Sequence, residues 1–368
     1  MSDQLIVRGA PQTYECKEGI LKELEDMLTE RTVTKCLIIH GEKSLHAAKP
    51  FLPSFESVRV HYEKYRGECS LSEISRLREI IQKEEYEAVI GIGGGKILDL
   101  TKAVGTETKA PVILVPTLAS SCAAWTPLSV YYTDEGQFIY YRYHTESANI
   151  VLVEPQIILE SPVEYFIAGI GDTLAKWYEA DVLIRGLNER PLAVDIAYYS
   201  AKTCEQVLFD LSSQAVEDQK KSVLSSAFIK VVETIIMAGG MVGGFGDSFG
   251  RIAGAHSIHN GLTQIEETHH LLHGEKVSYG ILVQLVLEKK WEDVSKLITL
   301  YQELNLPYSL SDLRLNVEER EKIAIVAEAA ANPAESIHLM DQKIAAESVI
   351  EAIMSLEEYV AETIIRNY

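Results

Sequence analysis

Apolar and polar positions fall in alternating blocks along the first 160 residues. Short runs rich in Val and Ile predict strands: CLIIHG (36–41), SVRVHY (57–62), AVIGIG (88–93), PVILVP (111–116) and IVLVEP (150–155). Each is bounded by Gly, Pro or polar residues. Between them, EGILKELEDMLTE (18–30) and LSEISRLREIIQKEE (71–85) space apolar residues three and four apart, which predicts amphipathic helices. Apolar strands alternating with such helices imply an α/β domain whose parallel sheet is covered on both faces. The stretch LSVYYTDEGQFIYYRY (128–143) instead predicts a hairpin turning at Asp134-Glu135-Gly136. Past about residue 161 the strand-like runs stop and long helical stretches take over. The expected division is therefore an α/β domain, 1–160, and an all-helical domain, 161–368, with a ligand cleft between them.

Composition narrows the function classes. Apolar residues make up 47% and charged residues 24%, the range of a water-soluble globular chain. No apolar run reaches about 18 residues, so no membrane span is predicted, and the N-terminus has no apolar signal segment. The net charge of -20 argues against nucleic acid and an anionic membrane surface as partners. A small anionic substrate stays open, because a local cation overrides the global field. The five cysteines, Cys16, Cys36, Cys69, Cys122 and Cys204, include no CxxC pair. That fits a reducing cytoplasm and restricts any metal to nitrogen and oxygen ligands.

Two segments carry candidate chemistry. Gly93-Gly94-Gly95-Lys96 follows an apolar strand and opens a helix. Glycines there let the backbone approach a pyrophosphate, whose charge meets free N–H groups at the helix start. The spacing is neither GxGxxG nor a P-loop, and a purely structural turn is the alternative. The second candidate combines Asp172, just past glycines and read as lying at a helix start, with His256 and His273. One carboxylate and two imidazoles with an open position suit a catalytic zinc or iron site. Spacing alone leaves histidines of a polar loop as an equal alternative.

The segments GIGGGKILDLTKA, PTLASS, LSVYYT, GIGDTLAKW, HSIHNGLT and HGEKVSYG, in this order, resemble the glycerol dehydrogenase branch of the metal-dependent alcohol dehydrogenases. The resemblance covers nearly the whole chain. It implies a Rossmann-like nucleotide domain, a helical domain, a divalent metal, a nicotinamide cofactor and a homo-oligomer. The metal ligands it implies are Asp172, His256 and His273. The cofactor contacts it implies are Gly93, Gly94, Gly95, Lys96, Asp99, Thr117, Ser120, Thr126, Leu128 and Tyr132. Iron-dependent members carry a histidine one turn after the metal aspartate. Lys176 stands there instead, so zinc is expected ahead of Fe2+ or another divalent ion.

Departures from the branch point to the substrate. Glycerol dehydrogenases read STDAPCSALSV where this chain has Ser120–Val130, so their polyol-binding aspartate is replaced by Cys122, and Trp125 adds bulk. A polyol hydroxyl without its partner is costly to bury. Lys176, one turn from Asp172, can pair with a substrate carboxylate; a solvated helix lysine is the alternative. This combination resembles the hydroxycarboxylate dehydrogenases, 2-oxo-acid reductases within the same branch. Reduction of small 2-oxo acids is thus expected, with glycerol or diol oxidation as the alternative. A lyase like dehydroquinate synthase and a non-catalytic nucleotide sensor are more distant readings. At the end of the second strand, where an acid would accept from the ribose 2′-OH, stands Gly41, which favours NADP(H) over NAD(H); a one-residue shift of that alignment would put Glu42 there and favour NAD(H) instead. A metal-polarised carbonyl would take hydride from the nicotinamide. His259 is a candidate for relaying the proton, or a structural neighbour of the metal helix.

Overall fold

The computed structural model describes residues 5–340 and 344–366. Six parallel strands form one sheet: β1 (Thr13–Cys16), β2 (Lys35–His40), β3 (Arg59–Lys64), β4 (Ala88–Gly93), β5 (Val112–Pro116) and β8 (Ile150–Val153). Their order is β1-β8-β5-β4-β2-β3. The central strand β4 is buried at all six positions, as expected when helices cover both faces. Strands β6 (Leu128–Tyr132) and β7 (Phe138–Tyr143) pair antiparallel as the predicted hairpin, with Gly136 at φ 86° in its turn. Strand β1 has no counterpart among the predicted strands. Its sequence TYEC is short, only half-buried and lies at the sheet edge.

The expected helix over 18–30 is split into a 3-10 turn, Ile20–Glu23, and a short α-helix, Leu24–Thr29. The helix expected over 71–85 runs Leu71–Glu84 and is capped by Ser70, whose Oγ accepts from the Glu73 N–H at 3.3 Å.

The chain clusters into two compact units. One comprises residues 8–162 and 218–244 and holds both sheets; the other takes in 5–7, 163–217 and the described residues from 245 on. Residues 218–244, grouped with the helical half on sequence pattern, thus pack with the sheet unit. There Gly240 lies so close to Trp125 that an added Cβ would sit 2.5 Å from its side chain.

The expectation of no membrane-length apolar run needs amending. The helical stretch Ser226–Gly250 is long and apolar enough by composition, with a mean hydropathy of 1.5, but 67% of that window is buried within the protein. Its hydrophobicity is used in packing.

In the second unit, four helices matter for chemistry. These are Val163–Ile184, Gly254–Leu262, His273–Leu287 and Arg320–Ala330. The first three pack closely through glycine. A Cβ on Gly274 would fall 1.8 Å from the Ala168 carbonyl, so no other residue fits there.

Candidate active site

In the sheet unit, strand order reverses between β2 and β4. The crevice at the carboxyl ends of strands beside such a reversal is the usual ligand position in open α/β sheets. Gly41 directly follows β2, and Gly93 ends β4, with Gly94 and Gly95 leading into the helix Gly95–Thr108, labelled α1. Thr117, directly after β5, donates its N–H to the Gly93 carbonyl at 3.1 Å. A Cβ on Gly93 would meet Ile97 at 2.4 Å and one on Gly94 would meet Leu118 at 3.1 Å. Gly93 therefore has no room for a side chain beside Ile97, while one at Gly94 would need Leu118 to give way. Gly41 is hemmed in as well, with Ile97, Ser44 and Tyr65 atoms 3.3–3.4 Å from an added Cβ. The neighbouring Glu42 carboxylate is engaged by Lys64 at 2.8 Å.

Other residues of the implied cofactor set have partners of their own. Lys96 is drawn to Glu68 at 2.5 Å and lies 5.4 Å from the Tyr132 ring centre. Asp99 is buried, pairs with Lys102 at 2.9 Å and accepts from the Val130 N–H at 3.0 Å. It ties α1 to the hairpin. Lys102 continues that tie to the carbonyls of Ala123 (2.7 Å), Thr126 (2.9 Å) and Leu128 (2.5 Å). Ser120 is half-buried in the loop after β5, and Thr126 closes that loop by donating its N–H to the Cys122 carbonyl at 3.1 Å. Cys122 is half-buried.

Trp125 departs from the expectation that it crowds a substrate. It is only 5% exposed, donates Nε1–H to the Gly9 carbonyl at 2.8 Å and packs edge-on against Tyr14. An indole this buried, with its N–H satisfied, is a packing residue.

In the helical unit, three helices converge on a candidate metal centre: α2 (Val163–Ile184), α3 (Gly254–Leu262) and α4 (His273–Leu287). Asp172 lies in the middle of α2 rather than at a helix start. The glycines before it serve helix contact, since a Cβ on Gly171 would strike Ser278 Oγ at 2.1 Å. His256 comes from α3, and His273 is the first residue of α4. The ligand atoms of Asp172, His256 and His273 all lie within 4.8 Å of one another. Each imidazole Nε2 is 3.4 Å from Asp172 Oδ1. That oxygen is buried and, among the described residues, accepts no hydrogen bond, a costly arrangement that a cation would satisfy. Burial disfavours the Asp172 carboxylate, but Lys176 and the two imidazoles outweigh it and hold the carboxyl well below its usual range. The centre is open on one side: the His273 side chain is 49% exposed, that of Asp172 4%.

The groups behind the triad include several that sequence reasoning missed. Glu179, two turns after Asp172 on α2, places Oε2 at 2.7 Å from His256 Nδ1. Its Oε1 accepts the N–H groups of Ala253 (2.7 Å) and His256 (3.0 Å) at the start of α3. The i, i+7 spacing from Asp172 was a readable signal. Lys176, between them, brings Nζ to 3.8 Å from Asp172 Oδ1, an ionic contact too long for a hydrogen bond. Lys276, three residues after His273, is also buried, and among the described residues its ammonium makes neither hydrogen bond nor ion pair. Burial lowers its pKa.

His259, the candidate proton relay, lies in a hydrogen-bonded chain beside the triad. Its Nε2 lies 2.9 Å from His273 Nδ1 and its Nδ1 3.1 Å from Asn260 Oδ1. Both ring nitrogens are engaged within the protein. Burial and the neighbouring histidines keep the ring neutral.

Known proteins share this arrangement of sequence and fold. The description "Iron-containing alcohol dehydrogenase" matches residues 11–155. The chain is 39% identical to hydroxycarboxylate dehydrogenase A of Escherichia coli (strain K12) over 352 residues, 95% of this chain and 97% of that protein. It is 37% identical to a glycerol dehydrogenase of Thermotoga maritima over 314 residues, 84% and 85% of the two chains. The crystal structure of glycerol dehydrogenase from Schizosaccharomyces pombe superposes with a TM-score of 0.87 at 31% identity, covering 98% of this chain and 92% of that one. The chain therefore belongs to the iron-containing alcohol dehydrogenase family and is a metal-dependent oxidoreductase of its glycerol dehydrogenase-like branch, acting on CH–OH groups.

Proposed function

We propose that the enzyme interconverts small 2-oxo acids and 2-hydroxy acids, using NADP(H) and a zinc ion held by Asp172, His256 and His273. The observation that carries the substrate class is Lys176, a buried ammonium 3.8 Å from the metal aspartate and on the same face of α2. A cation beside the centre attracts a substrate carboxylate strongly where water is scarce. Buried Lys276 adds positive charge near His259, whose ring touches that of His273. Cys122 stands where glycerol dehydrogenases carry a polyol-binding carboxylate, which weakens the case for a neutral polyol. The relative in Escherichia coli, named for hydroxycarboxylates, supports the same reading.

A divalent ion supplies Lewis acidity at the substrate oxygen, and a nicotinamide cofactor supplies or accepts the hydride. The chain's own residues hold and orient. Glu179 keeps the proton of His256 on Nδ1, which leaves its Nε2 lone pair facing Asp172. Lys176 positions the carboxylate. Lys176 also occupies the place of a fourth, histidine ligand, and three protein ligands plus an open position favour zinc.

NADP(H) is favoured because Gly41 presents no acid to the 2′ position, and side-chain atoms of Ile97, Ser44 and Tyr65 stand close around it. The charge of Glu42 is offset by Lys64. The absence of disulfides among the five cysteines accords with a reducing cytoplasm, and the family resemblance with a homo-oligomer.

Oxidation of glycerol or another diol is the second reading, supported by the glycerol dehydrogenase relatives. Rates for 2-oxobutanoate, 2-oxoglutarate and glycerol, each with NAD(H) and NADP(H), separate the readings. Faster turnover of glycerol than of either oxo acid refutes the proposal, and preference for NADH refutes the cofactor assignment.

A further inference from the structure

We propose that Glu335 is a positioning residue that sets the tautomer of His273 through Asn260 and His259. The inference rests on Asp172, His256 and His273 holding the metal, and it is independent of the substrate.

Four residues form one hydrogen-bonded file running away from the triad. His273 Nδ1 is 2.9 Å from His259 Nε2, and His259 Nδ1 is 3.1 Å from Asn260 Oδ1. Asn260 Nδ2 donates to both oxygens of Glu335, at 3.1 and 3.0 Å. For His273 to offer Nε2 to a cation, its proton must sit on Nδ1. That proton needs an acceptor, so His259 Nε2 must be bare. The His259 proton then sits on Nδ1 and needs an acceptor in turn, which among the described residues only the amide oxygen of Asn260 provides.

An asparagine side chain does not decide this by itself. Its oxygen and nitrogen exchange places by a half-turn of the amide, and the turned form would aim an N–H at His259. A carboxylate only accepts. Glu335 therefore draws the amide nitrogen to its own side and leaves the oxygen toward His259. Every proton in the file then has one position. The glutamate is itself held where it is needed, because Ser336, the next residue, donates Oγ–H to the Ala253 carbonyl at 2.7 Å, at the start of the His256 helix. The Ile337 N–H donates to Ser257 Oγ at 2.9 Å on that helix.

The reasoning predicts an unusual pattern among variants. Glu335→Ala frees the amide to turn and weakens the metal site. Asn260→Asp, with Glu335 present, sets two carboxylates against each other and weakens it too. In the double variant Glu335→Ala/Asn260→Asp, the new carboxylate can only accept from His259, needs no partner to orient it and restores the site.

The test uses full-length protein stripped of metal. Zinc affinity is measured by competition with a chromophoric chelator, and site geometry by the visible absorption of added Co2+. Each single variant is expected to lose about 10–100-fold in zinc affinity, the usual cost of losing an outer partner of a metal ligand. The double variant is expected within about threefold of the parent, with the parent Co2+ spectrum; this is the recovery expected of directly coupled residues. Glu335→Gln, which keeps the fold's packing, is expected between parent and Glu335→Ala. Unchanged zinc affinity in Glu335→Ala, or a double variant no better than the worse single one, overturns the proposal. Asp172→Ala is the control for the underlying assignment. If it binds Co2+ with the parent spectrum, the triad is not the metal site and the proposal falls with it, whatever the Glu335 variants do.

Discussion

Glu179 Oε2 lies 2.7 Å from His256 Nδ1, so a buried carboxylate on α2 dictates which nitrogen of an α3 histidine faces Asp172. Glu179→Gln keeps the shape but surrenders the charge. We expect zinc affinity to fall about 10–100-fold, measured by chelator competition, with little change in the unfolding midpoint. Glu179→Ala should also lower stability, because the Ala253 and His256 N–H groups lose their acceptor.

The same pair makes metal binding depend on pH. Burial works against a charged His256, but Glu179 and Asp172 outweigh it and raise its pKa from 6.5 to about 9 in the metal-free protein. The cation must shed that proton to be replaced by a metal. Zinc affinity should therefore climb about tenfold per pH unit toward 9 and then level off, with close to one proton released per ion at neutral pH. Calorimetry in buffers of different ionisation heat counts that proton. The metal-free protein runs the other way. Stabilisation from protonated His256 is complete below pH 6.5 and fades as pH rises through about 9.

Lys176→Ala separates carboxylate recognition from metal chemistry. Losing a charged hydrogen-bond donor costs about 1.5–3 kcal/mol. The KM for 2-oxobutanoate should rise about 10–100-fold, while that for a neutral aldehyde stays within about twofold. Equal effects on both would assign Lys176 to the metal site rather than to the substrate.

Trp125→Phe tests the packing assignment. Removing the Nε1–H leaves the Gly9 carbonyl without its donor, at about 1–2 kcal/mol. Denaturant unfolding should show that loss with KM unchanged. Gly240→Ala should cost more, since the new Cβ would lie 2.5 Å from the Trp125 side chain.

The parts legible in the sequence were those governed by local pattern. AVIGIG announces a strand buried on both faces, and all six positions are buried. The hairpin follows from aromatic runs around Gly136. What escaped depends on distant partners. Strand β1 is half-polar and is defined by its register with β8, more than a hundred residues on. Glycines before Asp172 read as a helix boundary, yet they lie inside α2 because Ser278 and Gly274 of α4 press against it. Trp125 looked like pocket bulk, but its partners are Gly9, Tyr14 and Gly240. Glu335 joins the metal surroundings across 75 residues, through a contact no spacing rule encodes.

The most direct test of the account is the rate of NADPH oxidation with 2-oxobutanoate, measured on the zinc-loaded enzyme, after chelation, and after zinc is restored. Turnover that disappears with the metal, returns with it and exceeds turnover of glycerol with NADP is the predicted result. Oxo-acid reduction that survives complete removal of metal, or glycerol as the better substrate, would contradict it.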